Sequence, residues 1–434
     1  MKKKLIYTIS CGILILSGCM SSLQPLASTA IPATKDTNHT QPPVIQPTLT
    51  NMPLVPLPTA AIRLVEPACL SIQSDLPAKY SYEGNLLLID IDPEAPSEDW
   101  LSLYKTHSEE SILLPYSFPE TPVVSPNRTQ FAVESSSYEE RSIEIFSTSG
   151  EIIKSIPMQE NWGWLADWIN NKQIGIVMAE PSDNPRYDKY PASVLILDPF
   201  TEQIQVLLPD YPYIDRANQM TNFGGLWGST IYDPNLSLVV YAGARNLSGY
   251  LLYSLTDEKI LAEIPGLARR ALPIWFSNGM QFIVLGEDFY KVSASGETEK
   301  ITWFNPNYDF DKYVGWDYFI KSYYSLSPNE NLLAFWFGRH EENISWDQTT
   351  FTLAILNLET GEIIDTCILL SKYTYEHSSP FPYPIWSPDS KKLLVSARYP
   401  QEGKRDLVLI DLEKYAAYQL HSDLIPAGWL VADE

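Results

Sequence analysis

The stretch IWSPDSKKLLVSA, residues 385–397, contains a Trp, a short polar turn and a hydrophobic run in that order. Pro presets the backbone φ angle for a turn, and an Asp side chain supports the turn by accepting hydrogen bonds from nearby backbone amides. A short apolar run that follows such a turn favours a strand. The stretch therefore predicts two antiparallel strands joined by the turn, with the Trp at the end of the first strand.

The same order of residues recurs along the chain at intervals of about 43 to 64 residues. A strand-like apolar run follows nearly every turn, and a second tight polar turn comes later, as in the segment IEIFSTSGE. This combination of period, short strands and turns is typical of four-stranded blades. The aligned turn segments are 124–127, 168–171, 232–235, 275–278, 326–329 and 386–389.

These motifs resemble those of the TolB-type, WD-repeat-like β-propellers, whose blades carry a W-S-P-D-G-type turn and a later D-x-x-T-G-E-type turn. The segment WSPDSKKLLVSA (386–397) matches best, LSPNENLLAF (326–335) follows, and WINN and YDPN depart from the pattern. The resemblance extends from about residue 80 to the end of the sequence and implies an all-β propeller. It implies no particular activity, because such propellers serve as binding platforms, scaffolds and occasional enzymes.

The two ends of the chain indicate the number of blades. Trp429 lies one repeat length after Trp386, so the sequence ends shortly after one more innermost strand. The segments NLLLIDID, WLSLYKTH and ESILLP, within 85–115, supply three further strands. Pairing the ends would close the ring and remove exposed strand edges. The prediction is a seven-bladed β-propeller, with six or eight blades as alternatives, because the longest intervals hold either a degenerate blade or long loops.

The N-terminal segment has the layout of an export signal. Three lysines precede an apolar stretch, residues 5–16, which is shorter than the roughly 20 residues that cross a membrane. Leu16, Ser17, Gly18 and Cys19 resemble a bacterial lipobox, in which the cysteine accepts a lipid. We therefore expect a signal peptide at 1–18, lipidation at Cys19, and a place in the cell envelope, anchored to a membrane and facing outside the cytoplasm. An ordinary signal peptide is the alternative.

The segment that follows predicts a tether. Residues 19–62 are rich in Pro and Thr and contain no aromatic residue, so they cannot build a packed core and are best described as an extended linker. The propeller domain is predicted at 63–434. Cys69 and Cys367 are the cysteines left beyond Cys19, and outside the cytoplasm they either form a disulfide or remain unpaired.

The formal net charge of −23 restricts the kinds of partner. Nucleic acids and anionic lipid surfaces attract basic patches, so this acidic chain is expected to bind neither. The expected partner is an envelope protein, a peptide or a glycan. Contact with the membrane is expected through the N-terminal lipid only, and no nucleic acid is expected.

Long segments rich in aromatic residues fall on one predicted face of the propeller. Tyr and Trp provide a large contact area together with a polar group, which suits recognition of protein or sugar. The alternative is that these rings pack the loops against one another. The candidate ligand-binding residues are Tyr211, Tyr213, Tyr308, Trp316, Tyr318, Trp346, Tyr373 and Tyr375.

Sequence motifs for catalysis are missing. Neither G-x-S-x-G, H-E-x-x-H nor C-x-x-C occurs, so we expect no catalytic residue, no metal and no cofactor. The leading hypothesis is a binding or scaffold module. The alternative is a propeller enzyme, a glycoside hydrolase or lyase, with acidic residues at the central channel; glycoside hydrolysis would need two carboxylates roughly 5 to 10 Å apart.

Overall fold

A computed structural model describes most of the chain beyond residue 68. The chain divides into two units, Met1–Thr59 and Ala60–Glu434, and every described residue belongs to the second. The predicted signal peptide, lipidation site and tether lie outside the described residues. The described residues are 69–74, 76–77, 80, 82–90, 100–117, 122–136, 141–159, 162–178, 194–206, 230–242, 249–265, 273–286, 288–302, 323–339, 350–370, 383–398, 405–422 and 424–432.

The described residues form strands and turns and contain no helix. In this part of the chain there is accordingly no helical segment long and apolar enough to cross a membrane. The strands, in chain order, are β1 (Ile72–Gln73), β2 (Asn85–Asp90), β3 (Trp100–Lys105), β4 (Glu110–Ser117), β5 (Val123–Val124), β6 (Gln130–Ser136), β7 (Arg141–Ser147), β8 (Ile152–Pro157), β9 (Trp162–Asn170), β10 (Gln173–Met178), β11 (Val194–Leu197), β12 (Ile204–Val206), β13 (Thr230–Tyr232), β14 (Leu238–Ala242), β15 (Gly249–Ser254), β16 (Lys259–Pro265), β17 (Ile274–Trp275), β18 (Gln281–Leu285), β19 (Phe289–Ser293), β20 (Thr298–Lys300), β21 (Tyr324–Leu326), β22 (Leu332–Arg339), β23 (Thr350–Asn357), β24 (Ile363–Leu369), β25 (Ile385–Trp386), β26 (Lys392–Arg398), β27 (Arg405–Asp411), β28 (Ala416–Ser422) and β29 (Leu424–Leu430).

These strands form seven sheets, which we number as blades. Blade 1 consists of β29, β2, β3 and β4 from the innermost strand outward, and blades 2 to 7 take β5–β8, β9–β12, β13–β16, β17–β20, β21–β24 and β25–β28. Neighbouring blades meet through innermost strands such as β29, β5 and β9. The all-β, seven-bladed β-propeller is thereby confirmed, and the long sequence intervals are connections rather than further blades.

Blade 1 closes the ring by pairing the two ends of the domain. β2 runs antiparallel to β29, with Asn85 opposite Leu430, and the indole N–H of Trp429 donates to the Glu83 carbonyl at 2.9 Å. Gly84 has a φ of +104°, and a Cβ at this position would lie 2.3 Å from the Leu430 carbonyl oxygen. The close approach of the two chain ends therefore requires glycine at residue 84.

The repeated S-P-N/D segment forms one type of turn between the first and second strands of a blade. In blade 7 the Ser390 amide donates to the Ser387 carbonyl, and the Ser387 hydroxyl accepts from the Lys392 amide at 2.9 Å. The fourth residue of the turn has a positive φ, 62° at Ser390 and 69° at Gly279. The WINN and YDPN segments also connect the first two strands of their blades, although their sequences depart from the family pattern.

The Trp of the motif links neighbouring blades. Trp386 is 1% exposed, and its indole N–H donates to the Ser325 carbonyl of blade 6 at 3.1 Å. Trp168 makes the equivalent bond to the Val123 carbonyl of blade 2 at 3.0 Å. These Trp side chains therefore pack between blades.

The turns that follow the innermost strands bond to one another around the ring. The Asn of one turn commonly reaches the next turn, so the repeated Asn stabilises the junction as well as its own turn. The five links are Asn127 N–H to Asn171 Oδ1 (2.8 Å), Asn170 Nδ2 to the Pro234 carbonyl (3.0 Å), Asn235 Nδ2 to the Asn278 carbonyl (3.4 Å), Ser277 N–H to Glu330 Oε1, and Asn329 N–H to Ser390 Oγ (2.9 Å).

The two faces of the ring carry different kinds of connection. One face, the turn face, carries the short connections from first to second and third to fourth strands, such as 387–391 and 412–415. The opposite face, the loop face, carries all the connections from second to third strands and between blades. The longest of these are 179–193, 207–229, 301–323 and 370–384.

Candidate functional site

The innermost strands of the seven blades surround a central channel, and β9 of blade 3 contributes an acid to it. Trp168 is buried between blades 2 and 3, and neighbouring residues of a strand point to opposite sides. Asp167 accordingly points away from that packing and is exposed to solvent. Its charge also contributes to the raised pKa of Tyr383. Tyr383 precedes β25 of blade 7.

The surroundings of Asp167 change its acidity. Although water reaches the carboxyl group, the surrounding protein desolvates it and raises its pKa from 3.8 to about 7. The Trp168 amide donates to Asp167 Oδ1 at 2.7 Å and opposes part of this effect. Among the described residues no cation is a cause of the shift. Asp167 can therefore gain or lose a proton near neutral pH.

A second acid beside β9 is fully paired and does not add to this site. Glu134 on β6 is 6% exposed and forms an ion pair with Arg141. Its second oxygen accepts from the Leu165 amide of β9 at 3.0 Å. Glu134 therefore holds the strand that carries Asp167 against blade 2.

Two tyrosines lie where innermost strands begin at the loop face. Tyr323 precedes β21 and Tyr383 precedes β25, and their rings meet edge to face with centroids 5.3 Å apart. Burial raises the pKa of Tyr383, and the charge of Asp167 adds to the effect, so the phenol is neutral at physiological pH. In the part of the chain that the structure describes, two aromatic rings of blades 6 and 7 thus lie together at the loop-face end of the innermost strands.

Arg128 lies at the turn-face end of the innermost strands. Its guanidinium donates to the Trp386 carbonyl of blade 7 and, at 3.5 Å, to the Trp429 carbonyl of blade 1. The Val431 amide donates in return to the Arg128 carbonyl at 3.0 Å. Burial lowers the Arg128 pKa to about 10, which leaves the side chain charged at neutral pH. One side chain of blade 2 is therefore bonded both to blade 1, in which the two ends of the domain pair, and to blade 7 beside it.

Replacing Asp167 by Asn tests the environment of the acid. Because the folded-state pKa of about 7 lies above the unfolded value of 3.8, ionisation destabilises the folded chain as the pH rises through this interval. Asp167→Asn is expected to unfold at a higher temperature than the natural chain at pH 8, and at no higher temperature at pH 4. Thermal unfolding at the two pH values measures this.

The matched control for that measurement is Asp257→Asn, which changes an exposed acid on the turn face. This variant is expected to show the same difference in unfolding temperature between pH 8 and pH 4 as the natural chain. An equal effect of Asp167→Asn at both pH values would show that Asp167 is not desolvated.

A separate cavity of about 290 Å³ lies on the turn face, where blades 7 and 1 meet. In blades 2 to 7 a covalent turn joins the innermost strand to the second strand, whereas in blade 1 these are β29 and β2 from opposite ends of the domain. The missing turn accounts for the empty space. Its walls include Glu83, Gly84, Ser387, Asp389, Lys392 and Trp429.

The predicted site residues have two different outcomes. The aromatic candidates Tyr211, Tyr213, Tyr308, Trp316, Tyr318, Trp346, Tyr373 and Tyr375, and the lipidation site Cys19, lie outside the described residues. Cys69 and Cys367, whose pairing the sequence left open, form a disulfide in the structure, with Cα atoms 4.9 Å apart. Within the described ranges no group of three or more His, Cys, Asp or Glu side chains could hold a metal ion.

Sequence analysis missed both Asp167 and Arg128. Asp167 is the acid in the segment WLADWIN, which otherwise contains only apolar residues and one Asn, and a charge in an innermost strand is a usable signal. Arg128 follows the S-P-N turn and has no comparable signal, because its partners lie far along the chain in blades 7 and 1.

Comparisons with known proteins find similarity at the level of fold. No family model matches the sequence, and no curated protein does. TolB from Acinetobacter baumannii is 12% identical with a TM-score of 0.41, covering 80% of this chain and 67% of that chain. Oligogalacturonate lyase from Vibrio parahaemolyticus is 13% identical with a TM-score of 0.49, covering 81% and 94%. An acylaminoacyl peptidase is 12% identical with a TM-score of 0.46, covering 78% and 50%.

Proposed function

We propose that this chain is a lipid-anchored, extracytoplasmic β-propeller that binds a protein, peptide or glycan on its loop face. The observation that carries the proposal is the difference between the two faces. Short turns, bonded to one another around the ring, form the turn face, whereas every long connection belongs to the loop face. Long loops on a rigid scaffold are where proteins commonly place binding residues.

The attachment of the N-terminal segment supports this arrangement. Cys69 is the first described residue, and its disulfide to Cys367 joins it to β24, the outermost strand of blade 6. The described chain therefore joins the propeller at the outer edge of blade 6. The lipid at Cys19 and the extended segment 19–62 would then hold the propeller at a distance from the membrane.

Chemistry favours binding over catalysis. Glycoside hydrolysis generally uses two carboxyl groups, and the described part of the channel offers Asp167, while the neighbouring Glu134 is engaged by Arg141 and the Leu165 amide. Tyr and Trp in the long connections instead suit a contact surface. The net charge of −23 favours a neutral or basic partner over nucleic acid.

A binding screen against envelope proteins and glycans tests the proposal. Residues 63–434, expressed without the signal and tether segments, supply a soluble form, and failure of the natural chain to incorporate a labelled fatty acid would contradict the lipid anchor. Trp316→Ala combined with Tyr375→Ala is expected to weaken a specific interaction by at least about 30-fold, because aromatic anchors often contribute 2 kcal/mol or more. Isothermal titration calorimetry measures the change.

Phe200→Ala is the matched control, because Phe200 is an exposed aromatic residue on the turn face. It is expected to leave binding unchanged. An interaction that survives the double change, or turnover of a glycan in the same assay, would contradict binding through these loops and favour the enzyme alternative.

A further inference from the structure

The hydrogen bonds that link the turns around the turn face are interrupted at blade 1. This blade has no turn between its innermost and second strands, because β29 and β2 come from opposite ends of the domain. The five links in the described chain join blade 2 to 3, 3 to 4, 4 to 5, 5 to 6 and 6 to 7. The cavity of about 290 Å³ between blades 7 and 1 lies at this interruption.

The turn of blade 7 presents an amide to this cavity. In blades 2 and 6 the amide of the third turn residue, Asn127 or Asn329, donates to a side-chain oxygen of the next turn. The third turn residue of blade 7 is Asp389, which lines the cavity. Its amide has no hydrogen-bond partner in the part of the chain that the structure describes. The equivalent acceptor would belong to a turn of blade 1, which this blade lacks.

We propose that the cavity receives a polar turn of a partner protein, with a side-chain oxygen that accepts from the Asp389 amide. The partner's turn takes the place that a covalent turn occupies in the other six blades. A volume of about 290 Å³ is at the lower end of the range for ligand pockets, roughly 300–1,000 Å³, so the cavity holds the tip of a turn. This contact lies on the turn face and goes beyond the proposed loop-face function.

The walls of the cavity supply further polar groups for such a turn. Lys392 lines the cavity, and its ammonium nitrogen lies 3.6 Å from the Asp389 carboxylate. Glu83 is an exposed wall residue that adds a carboxylate. Tyr82 and Pro388 add apolar surface. A turn with polar side chains and a Pro therefore matches these walls better than a purely apolar segment does.

The fourth turn residue determines which kind of side chain the partner must bring. Glu330 and Ser390 occupy this position in blades 6 and 7, and each accepts from the turn before it. In blade 2 the residue is Arg128, and a guanidinium contains no acceptor atom. It donates instead to the carbonyl of Trp429, a wall residue of the cavity. Blade 2 thus leaves the Asp389 amide without an acceptor, and the nearby guanidinium favours an acidic fourth residue in the partner's turn.

Titration of the full chain with a cyclic peptide tests the proposal. The peptide contains the sequence of residues 326–332, LSPNENL, closed through its backbone, because this segment forms the turn of blade 6. Binding is expected to shift the Asp389 amide signal in a proton–nitrogen NMR spectrum. A peptide with Glu330→Ala is expected to bind about 10-fold more weakly, because a hydrogen bond to a charged group is lost, whereas Glu330→Gln keeps the acceptor oxygen. Equal affinity of the Glu330→Ala peptide, or an unchanged Asp389 signal, overturns the proposal.

Filling the cavity provides a second test. Ala432→Trp places a large side chain at an exposed wall residue and is expected to abolish binding of the peptide. Glu359→Trp is the matched control, because Glu359 is exposed in a turn of blade 6 on the same face. This control is expected to bind the peptide as the natural chain does. Peptide binding that survives Ala432→Trp overturns the proposal.

Hydrogen exchange of the natural chain provides a test that depends on no folded variant. Without peptide, the Asp389 amide is expected to exchange faster than the Asn329 amide, which donates to Ser390 Oγ at 2.9 Å. With peptide, the Asp389 amide is expected to become protected. If this amide is protected without peptide and loses the protection when residues 433–434 are deleted, the end of the chain itself fills the cavity, and the proposal is overturned.

Discussion

Replacing Trp386 by Ala is expected to lower the free energy of unfolding by about 3–5 kcal/mol, as truncation of a buried aromatic residue usually does. The side chain is 1% exposed and belongs to a cluster that includes Leu353 and Val395, on strands of blades 6 and 7. Truncation also removes the donor to the Ser325 carbonyl. Chemical denaturation followed by fluorescence or circular dichroism measures the loss.

Two further variants separate the contributions to that loss. Trp386→Phe keeps most of the buried ring and removes the indole N–H, so it is expected to cost less than Trp386→Ala. Trp275→Ala is the matched control at the equivalent position of blade 5, where the side chain is only half-buried, and its cost is expected to be smaller. Equal losses at the two Trp positions would contradict the assigned role of Trp386 between blades 6 and 7.

The repeat motif predicted the fold because its residues form hydrogen bonds both within their own turn and with the neighbouring blade. The Ser of the turn bonds within its own turn, as Ser387 does, and the Trp bonds to the preceding blade, as Trp386 does. A residue pattern of this kind therefore specifies both the turn within a blade and the packing of that blade against its neighbour. The number of blades then followed from the strands at the two ends of the domain, which together make blade 1.

Other features depend on relations that no local pattern contains. The pairing of β1 with β28 involves two residues of each strand, Ile72 opposite Ala417 and Gln73 opposite Tyr418, which is too short for a sequence signature. The exposed position of Asp167 on an innermost strand depends on how these strands are arranged around the ring. For the site, sequence analysis therefore predicted a surface of aromatic loops and the possible disulfide, but missed the acid in the channel.

Loss of the disulfide between Cys69 and Cys367 is expected to lower the free energy of unfolding by about 2–5 kcal/mol. The bond spans a sequence separation of 298 residues, so in the unfolded chain it closes a very large loop and restricts many conformations. The double variant Cys69→Ala, Cys367→Ala should match the natural chain under reducing conditions. A reducing agent should lower the denaturation midpoint of the natural chain and leave that of the variant unchanged.

The folded ring itself is expected to survive this change, because other contacts hold the same segment in place. The Leu70 amide donates to the Thr366 carbonyl at 3.0 Å, and β1 pairs with β28. The Tyr80 hydroxyl donates to Asp411 at 2.5 Å while the Lys414 ammonium lies 3.8 Å from the centre of the Tyr80 ring. Near-ultraviolet circular dichroism of the folded variant should therefore equal that of the natural chain. A changed spectrum would mean that the disulfide shapes the folded state as well as restricting the unfolded one.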